Sequence, residues 1–99
     1  MKTLTMCGSM RFEKQMRQIA YTLETEQGYN VLQCVYSSGE TPSREQLERL
    51  TAAHYRKIDL SDGIFVVNPG GYIGESVRNE IAYALSKGKE VLYYENNTF

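Results

Sequence analysis

Ile64-Phe65-Val66-Val67 runs directly into Asn68-Pro69-Gly70-Gly71-Tyr72-Ile73-Gly74, and a helical pattern follows from Glu75 to Ser86. A continuous, β-branched apolar run is what a strand covered on both faces requires. Glycine and proline then end the strand. Beyond them Val77, Ile81, Ala84 and Leu85 recur at helical spacing and predict a buried stripe. A buried strand that turns through a glycine-rich loop into a helix is one unit of a parallel sheet.

The same alternation extends in both directions. Upstream, the loop Ser37-Ser38-Gly39-Glu40-Thr41-Pro42 leads into a helix expected from near Ser43, with Leu47, Leu50, Thr51, His54 and Ile58 on one face. Before it, Val31 to Val35 reads as a strand. Gly28 reads as the C-cap of a helix that starts at Met10 and carries Phe12, Met16, Ile19, Ala20 and Leu23. Leu4-Thr5-Met6-Cys7 is a short buried strand meeting a turn at Gly8-Ser9. Downstream, Gly88 caps the third helix and Glu90 to Tyr94 forms the last strand. The order βαβαβαβ predicts an α/β fold, a compact Rossmann-like or flavodoxin-like parallel sheet of about four strands with helices on both faces.

Composition bounds the rest. The chain has 99 residues, enough for one core and one domain. A mean hydropathy of −0.46 with no long apolar run gives no membrane span. No basic segment followed by an apolar one opens the sequence, so the expected location is cytoplasmic. The formal charge of −1 gives no electrostatic footprint for a nucleic-acid polymer. Cys7 and Cys34 fit neither a disulfide framework nor a zinc spacing, so no metal and no cofactor are expected. Neither cysteine has a base beside it in sequence, so no nucleophilic thiol is expected either.

In parallel sheets, ligands bind at the carboxyl ends of the strands. Two loops there carry suitable chemistry. In Gly8-Ser9-Met10-Arg11, the glycine lets a ligand approach the backbone, Ser9 offers a hydroxyl and Arg11 a guanidinium for phosphate. Spacing alone favours the plainer reading of Ser9 as an N-cap and Arg11 as a solvated residue. On the third helix, Glu80 lies at the edge of the apolar stripe, one turn beyond Ser76 and three residues before Tyr83. A partly desolvated carboxylate there can act as nucleophile or base; periodicity also allows a partner for Arg78 or Lys87. His54, the one histidine, sits on an apolar helix face, where a satisfied structural imidazole is the plainer reading. Tyr72, one of eight tyrosines, can stack on a base from within the glycine-rich loop. Asp62 reads as a turn residue and Asp59 as solvent-facing.

Cys7-Gly8-Ser9-Met10-Arg11 resembles the phosphate-contacting G-S-hydrophobe-R turn of deoxynucleoside 5′-monophosphate N-glycosidases. His54 to Val91 is similar to the core signature of the nucleoside 2-deoxyribosyltransferase-like superfamily, through Lys57-Ile58, Ser61-Asp62, Ile64 to Val67, Gly74-Glu75-Ser76, Glu80-Ile81-Ala82-Tyr83-Ala84 and Gly88-Lys89. The resemblance covers nearly the whole chain and implies one such domain over residues 1–99. It implies that Glu80 attacks the anomeric carbon and forms a covalent glycosyl-enzyme. It further implies that Gly8, Ser9, Arg11, Tyr72, Gly74 and Ser76 bind the substrate. Two departures stand out: His54 occupies the position of the family's proton-handling aspartate, and the loop from Val67 to Glu80 is slightly longer. The function implied is hydrolysis of the N-glycosidic bond of a nucleoside 5′-monophosphate or related nucleotide. Base exchange by a deoxyribosyltransferase and a non-catalytic nucleotide-binding module are the alternatives. Little chain follows Val91 to Tyr94, and relatives complete their sites from a neighbouring subunit, so a homodimer or higher oligomer with a shared site is expected.

Overall fold

The computed structural model describes residues 1–36 and 39–95. Ser37 and Ser38 of the expected loop, and Asn96 to Phe99, lie outside them. Four strands, β1 (Thr3–Gly8), β2 (Asn30–Leu32), β3 (Gly63–Val67) and β4 (Glu90–Tyr93), form one sheet in the order β2-β1-β3-β4. Every pairing is parallel. Three α-helices intervene: α1 (Glu13–Thr25), α2 (Arg44–Asp59) and α3 (Glu75–Ser86). This is the expected α/β architecture.

Side chains along the strands alternate between two cores. Met6 and Val67 face one side and pack with Met16, Ala20 and Leu23 of α1, together with Val31 and Cys34. Cys7, Ile64 and Val66 face the other and pack with Ile58 of α2 and with Val77 and Ala84 of α3. Helices therefore cover both faces, α1 on one and α2 with α3 on the other. None of the described helices is long and apolar enough to cross a membrane.

Several boundaries and faces differ from the sequence reading. The second strand is only Asn30–Leu32, and Val35 is 61% exposed. The first helix opens with a 3-10 turn at Met10–Phe12 before α1 starts at Glu13. The last strand stops at Tyr93, although the Tyr94 N–H still donates to Val66 O. Leu85 lies outside the buried stripe of α3, at 60% exposure. In α2 the difference has a structural cause. Its N-terminus is fixed by a capping box between Ser43 and Gln46, but Leu47, Leu50 and Thr51 point to solvent and only Ile58 is buried. The first half of α2 stands away from the sheet, and that gap becomes the cavity described below.

Polar contacts hold the second half of α2 in place. Ser61 Oγ donates to Lys57 O (2.7 Å), leaving Thr5 Oγ1 to donate to Ser61 Oγ at 2.6 Å. Lys89 Nζ donates to Asp59 O and Ser61 O beyond the helix C-terminus. Asp59 does not face solvent as expected: its carboxylate accepts from Tyr83 Oη at 2.5 Å and joins α2 to α3. Asp62 accepts from the Thr3 N–H at 2.8 Å, which ties the turn before β3 to the start of β1.

Gly63 marks the closest approach of two backbones. A Cβ placed there would lie 2.5 Å from Glu90 O and 2.9 Å from Glu90 Cβ. The β3–β4 pair must therefore shift to admit any side chain. Gly63→Ala is expected to destabilise the fold by about 1–3 kcal/mol through this overpacking. Thermal unfolding checks it, because each kcal/mol lowers the midpoint by roughly 4–8 °C in a domain of this size.

Candidate functional site

Parallel pairing of Gly8 with Val67 sets the loops after β1 and β3 side by side at the carboxyl edge of the sheet. The loop after β3 turns through Gly70 (φ 65°) and Gly71 (φ 81°), left-handed conformations that glycine adopts without steric cost. Asn68, fully buried, anchors its start. Its Nδ2 donates to Glu95 O (2.8 Å) and its Oδ1 accepts from the Glu95 N–H (2.9 Å). The loop then enters α3, whose sixth residue is Glu80.

Between this edge and the raised half of α2 lies a cavity of about 940 Å³. That is at the upper end of the usual size for small-molecule sites, roughly 300–1,000 Å³. Gly8, His54, Ser76 and Glu80 all line it, so four of the residues singled out by sequence converge. Met10, Val35, Leu47 and Leu50 give it apolar walls, while Arg49 and Lys57 bring positive charge. The His54 and Glu80 side chains are each 14% exposed, and His54 Nε2 lies 3.1 Å from Glu80 Oε1. With Glu80 ionised, Nε2 carries the proton and donates to the carboxylate. The carboxylate is thus held at the cavity wall, partly desolvated, with His54 of α2 as its hydrogen-bond partner.

The other candidates fall beside the cavity rather than in its lining. The Ser9 side chain accepts from the Arg11 N–H at 3.3 Å, the cap role that spacing allowed. Arg11 stacks its guanidinium 4.2 Å above the Tyr72 ring, and Phe12 meets the same ring edge-on at 6.0 Å. Gly74 lies under that ring, where an added Cβ would sit 3.2 Å from the Tyr72 hydroxyl. Arg11, Tyr72 and Gly74 form one cluster flanking the cavity. Tyr83, three residues after Glu80, meets Tyr55 edge-on at 4.8 Å.

Sequence reasoning missed Cys7. Its Sγ lies 3.4 Å from His54 Nε2, although 47 residues separate the two along the chain. Cys7 ends a buried strand immediately before the glycine turn, and that position was the only local sign that it borders the site. A base does stand beside the thiol, but burial and then the Glu80 charge hold its pKa well above the ordinary value. The free residue is therefore a thiol and not a thiolate nucleophile. Arg49, Lys57 and Met10 were also missed, since their roles follow from the tilt of α2 and the β1 loop.

Comparison with protein-family models, curated proteins and solved structures gives no significant match to the chain.

Cys34, a second buried thiol lining the cavity, has its pKa raised from 9.0 to about 11, chiefly by burial and then by the Glu80 charge. The native state therefore holds this proton where the unfolded chain releases it, and stability falls as pH rises from about 9 through about 11. Chemical-denaturation midpoints measured across that range are expected to drop less steeply in Cys34→Ala than in the parent chain.

Proposed function

We propose that the chain cleaves the N-glycosidic bond of a nucleoside 5′-monophosphate or related nucleotide, with Glu80 as nucleophile. The observation that carries this reading is the placement of Glu80. It is a partly desolvated carboxylate at the carboxyl edge of a parallel sheet, held by His54 at 3.1 Å in a cavity of nucleotide size. Its resemblance to the nucleophile of the nucleoside 2-deoxyribosyltransferase-like superfamily adds to the geometry.

In the proposed reaction a Glu80 oxygen attacks the anomeric carbon as the bond to the base nitrogen breaks. The bonding pair leaves with the base, which takes up a proton. Water then attacks the glycosyl ester, its proton passes to a base, and the sugar phosphate is released with Glu80 regenerated. His54 is the group in place to orient Glu80 and to move those protons. Ser76 lines the cavity and is a candidate for phosphate, as are Ser9 and Arg11 from its flank, with Tyr72 and Gly74 beside them. Lys57 and Arg49 supply the positive charge in the lining. Phosphate binding by Arg11 requires its guanidinium to turn from the Tyr72 ring, which frees that ring to stack on a base. No cofactor or metal is needed for this chemistry, and two buried free thiols suit a reducing, cytoplasmic setting.

A homodimer belongs to the same proposal. Met10, Val35, Leu47 and Leu50 are between 40% and 61% exposed and all stand at the cavity wall, an apolar patch that a second copy would cover while closing the site. Light scattering is expected to give a dimer or larger, and Leu50→Asp a smaller species.

Incubation with single nucleotides is expected to release free base, and an added acceptor base separates hydrolysis from transfer. Glu80→Gln is expected to lower turnover by roughly 10⁴-fold or more. His54→Gln is expected to lower it by about 10²–10⁴-fold. In both variants a nucleotide should still raise the thermal midpoint. Binding by the parent chain without cleavage of any nucleotide would instead establish the non-catalytic module.

A further inference from the structure

Cys7, His54 and Glu80 come from β1, α2 and α3, and their donor atoms all lie within 4.8 Å of one another. The single nitrogen Nε2 faces both of the others, 3.4 Å from Cys7 Sγ and 3.1 Å from Glu80 Oε1. With Nε2 protonated it donates to Glu80 and faces the sulfur, while the thiol has the Thr5 carbonyl as a long acceptor at 3.9 Å. We propose that Cys7 Sγ, His54 Nε2 and a Glu80 carboxylate oxygen form a site for a thiophilic divalent cation of the zinc class, with a further coordination position open to the cavity.

The separations carry the argument. Tetrahedral zinc holds a thiolate at about 2.3 Å and imidazole nitrogen or carboxylate oxygen at about 2.0–2.2 Å, which sets the S···N edge near 3.5 Å and the N···O edge near 3.3 Å. The 3.4 Å and 3.1 Å distances here lie within a few tenths of an ångström of those edges. The third edge, Cys7 Sγ to the Glu80 oxygen, lies within 4.8 Å where tetrahedral zinc needs about 3.5 Å, and rotation of the Glu80 side chain at the cavity wall closes any excess.

The donor set selects the class of metal. Thiolate and imidazole suit zinc and its transition-metal neighbours, whereas magnesium and calcium take oxygen ligands. Access is one-sided, since Cys7 is fully buried while His54 and Glu80 line the cavity. The ion therefore enters from the cavity and keeps a position toward it, as in zinc sites with three protein ligands. On binding, the Cys7 S–H bond breaks, its proton passes to solvent and a sulfur–metal bond forms. One thiolate and one carboxylate then neutralise the dication, so no net charge is left buried. A carboxylate engaged in this way is no longer free to attack a sugar. Metal binding stands without the glycosidase reading, whereas inhibition by the metal rests on it.

Titration of the reduced protein with Co²⁺, followed by displacement with Zn²⁺, tests the site without any substrate. The expected result is one ion per chain, a thiolate-to-cobalt charge-transfer band and tetrahedral ligand-field bands. Loss of an outer-shell partner already weakens metal sites by about 10–100-fold, so Cys7→Ser, His54→Gln and Glu80→Gln should each cost at least that much affinity. Cys34→Ala should keep both the stoichiometry and the band. Circular dichroism shows which variants are folded; should Cys7→Ser unfold, the two cavity-lining variants decide. No charge-transfer band in the parent chain overturns the site, as does one that survives His54→Gln and Glu80→Gln or disappears in Cys34→Ala. Where nucleotide cleavage is observed, added Zn²⁺ should suppress it; a failure there with Zn²⁺ bound counts against Glu80 as nucleophile and not against the metal site.

Discussion

The parallel register of β1 on β3, running from Leu4↔Gly63 to Gly8↔Val67, is the constraint from which the rest of the molecule follows. It brings Cys7 level with Val66 and ends both strands together, so that two loops far apart in sequence leave the sheet side by side. β4 can lie against the other edge of β3 because Gly63 has no side chain to meet the Glu90 backbone. A slip of one residue would exchange the two faces of each strand and place Met6 where Cys7 now packs. Both cores, and the geometry of the site, depend on that register.

Around it, the structure fastens some segments and leaves others raised. The second half of α2 is held by the buried Thr5–Ser61–Lys57 chain, the Tyr83–Asp59 contact and the Lys89 bonds beyond its end. A typical hydrogen bond of this kind contributes about 1 kcal/mol net, and leaving any buried member unpaired costs more than that. The first half of α2 has a capping box and surface ion pairs such as Arg44–Glu48, but its apolar side chains have no sheet beneath them. One helix thus serves as both a core element and a cavity wall. His54 sits near the change from one role to the other, which is why it reaches Cys7 and Glu80 together.

The meeting of thiol, imidazole and carboxylate underlies both proposals. Glu80 is a partly desolvated carboxylate held by an imidazole, the arrangement on which its proposed nucleophilic role rests. With the Cys7 proton removed, the same three atoms would supply three of the four positions of a tetrahedral metal shell. Arg11 and Tyr72 stack on each other beside the cavity, and in the proposed reaction they would exchange that contact for a phosphate and a base.

Element order, the two-sided burial of β1 and β3, the helix from Glu75 to Ser86 and the Ser43 cap were legible in the sequence, because strand and helix periodicities are local properties. The convergence of Gly8, His54, Ser76 and Glu80 was legible in part, through the rule that such sheets bind ligands at their carboxyl ends. The exposure of Leu47 and Leu50 was not, since an apolar stripe reveals which face is apolar and not whether anything lies against it. The contact of Cys7 with His54 was equally hidden. By itself the sequence determined a parallel α/β fold with a polar edge between two loops. Only the tertiary structure decided which side chains meet there, because contacts between β1, α2 and α3 are set by sheet register and helix tilt, and neither is written in the spacing of neighbouring residues.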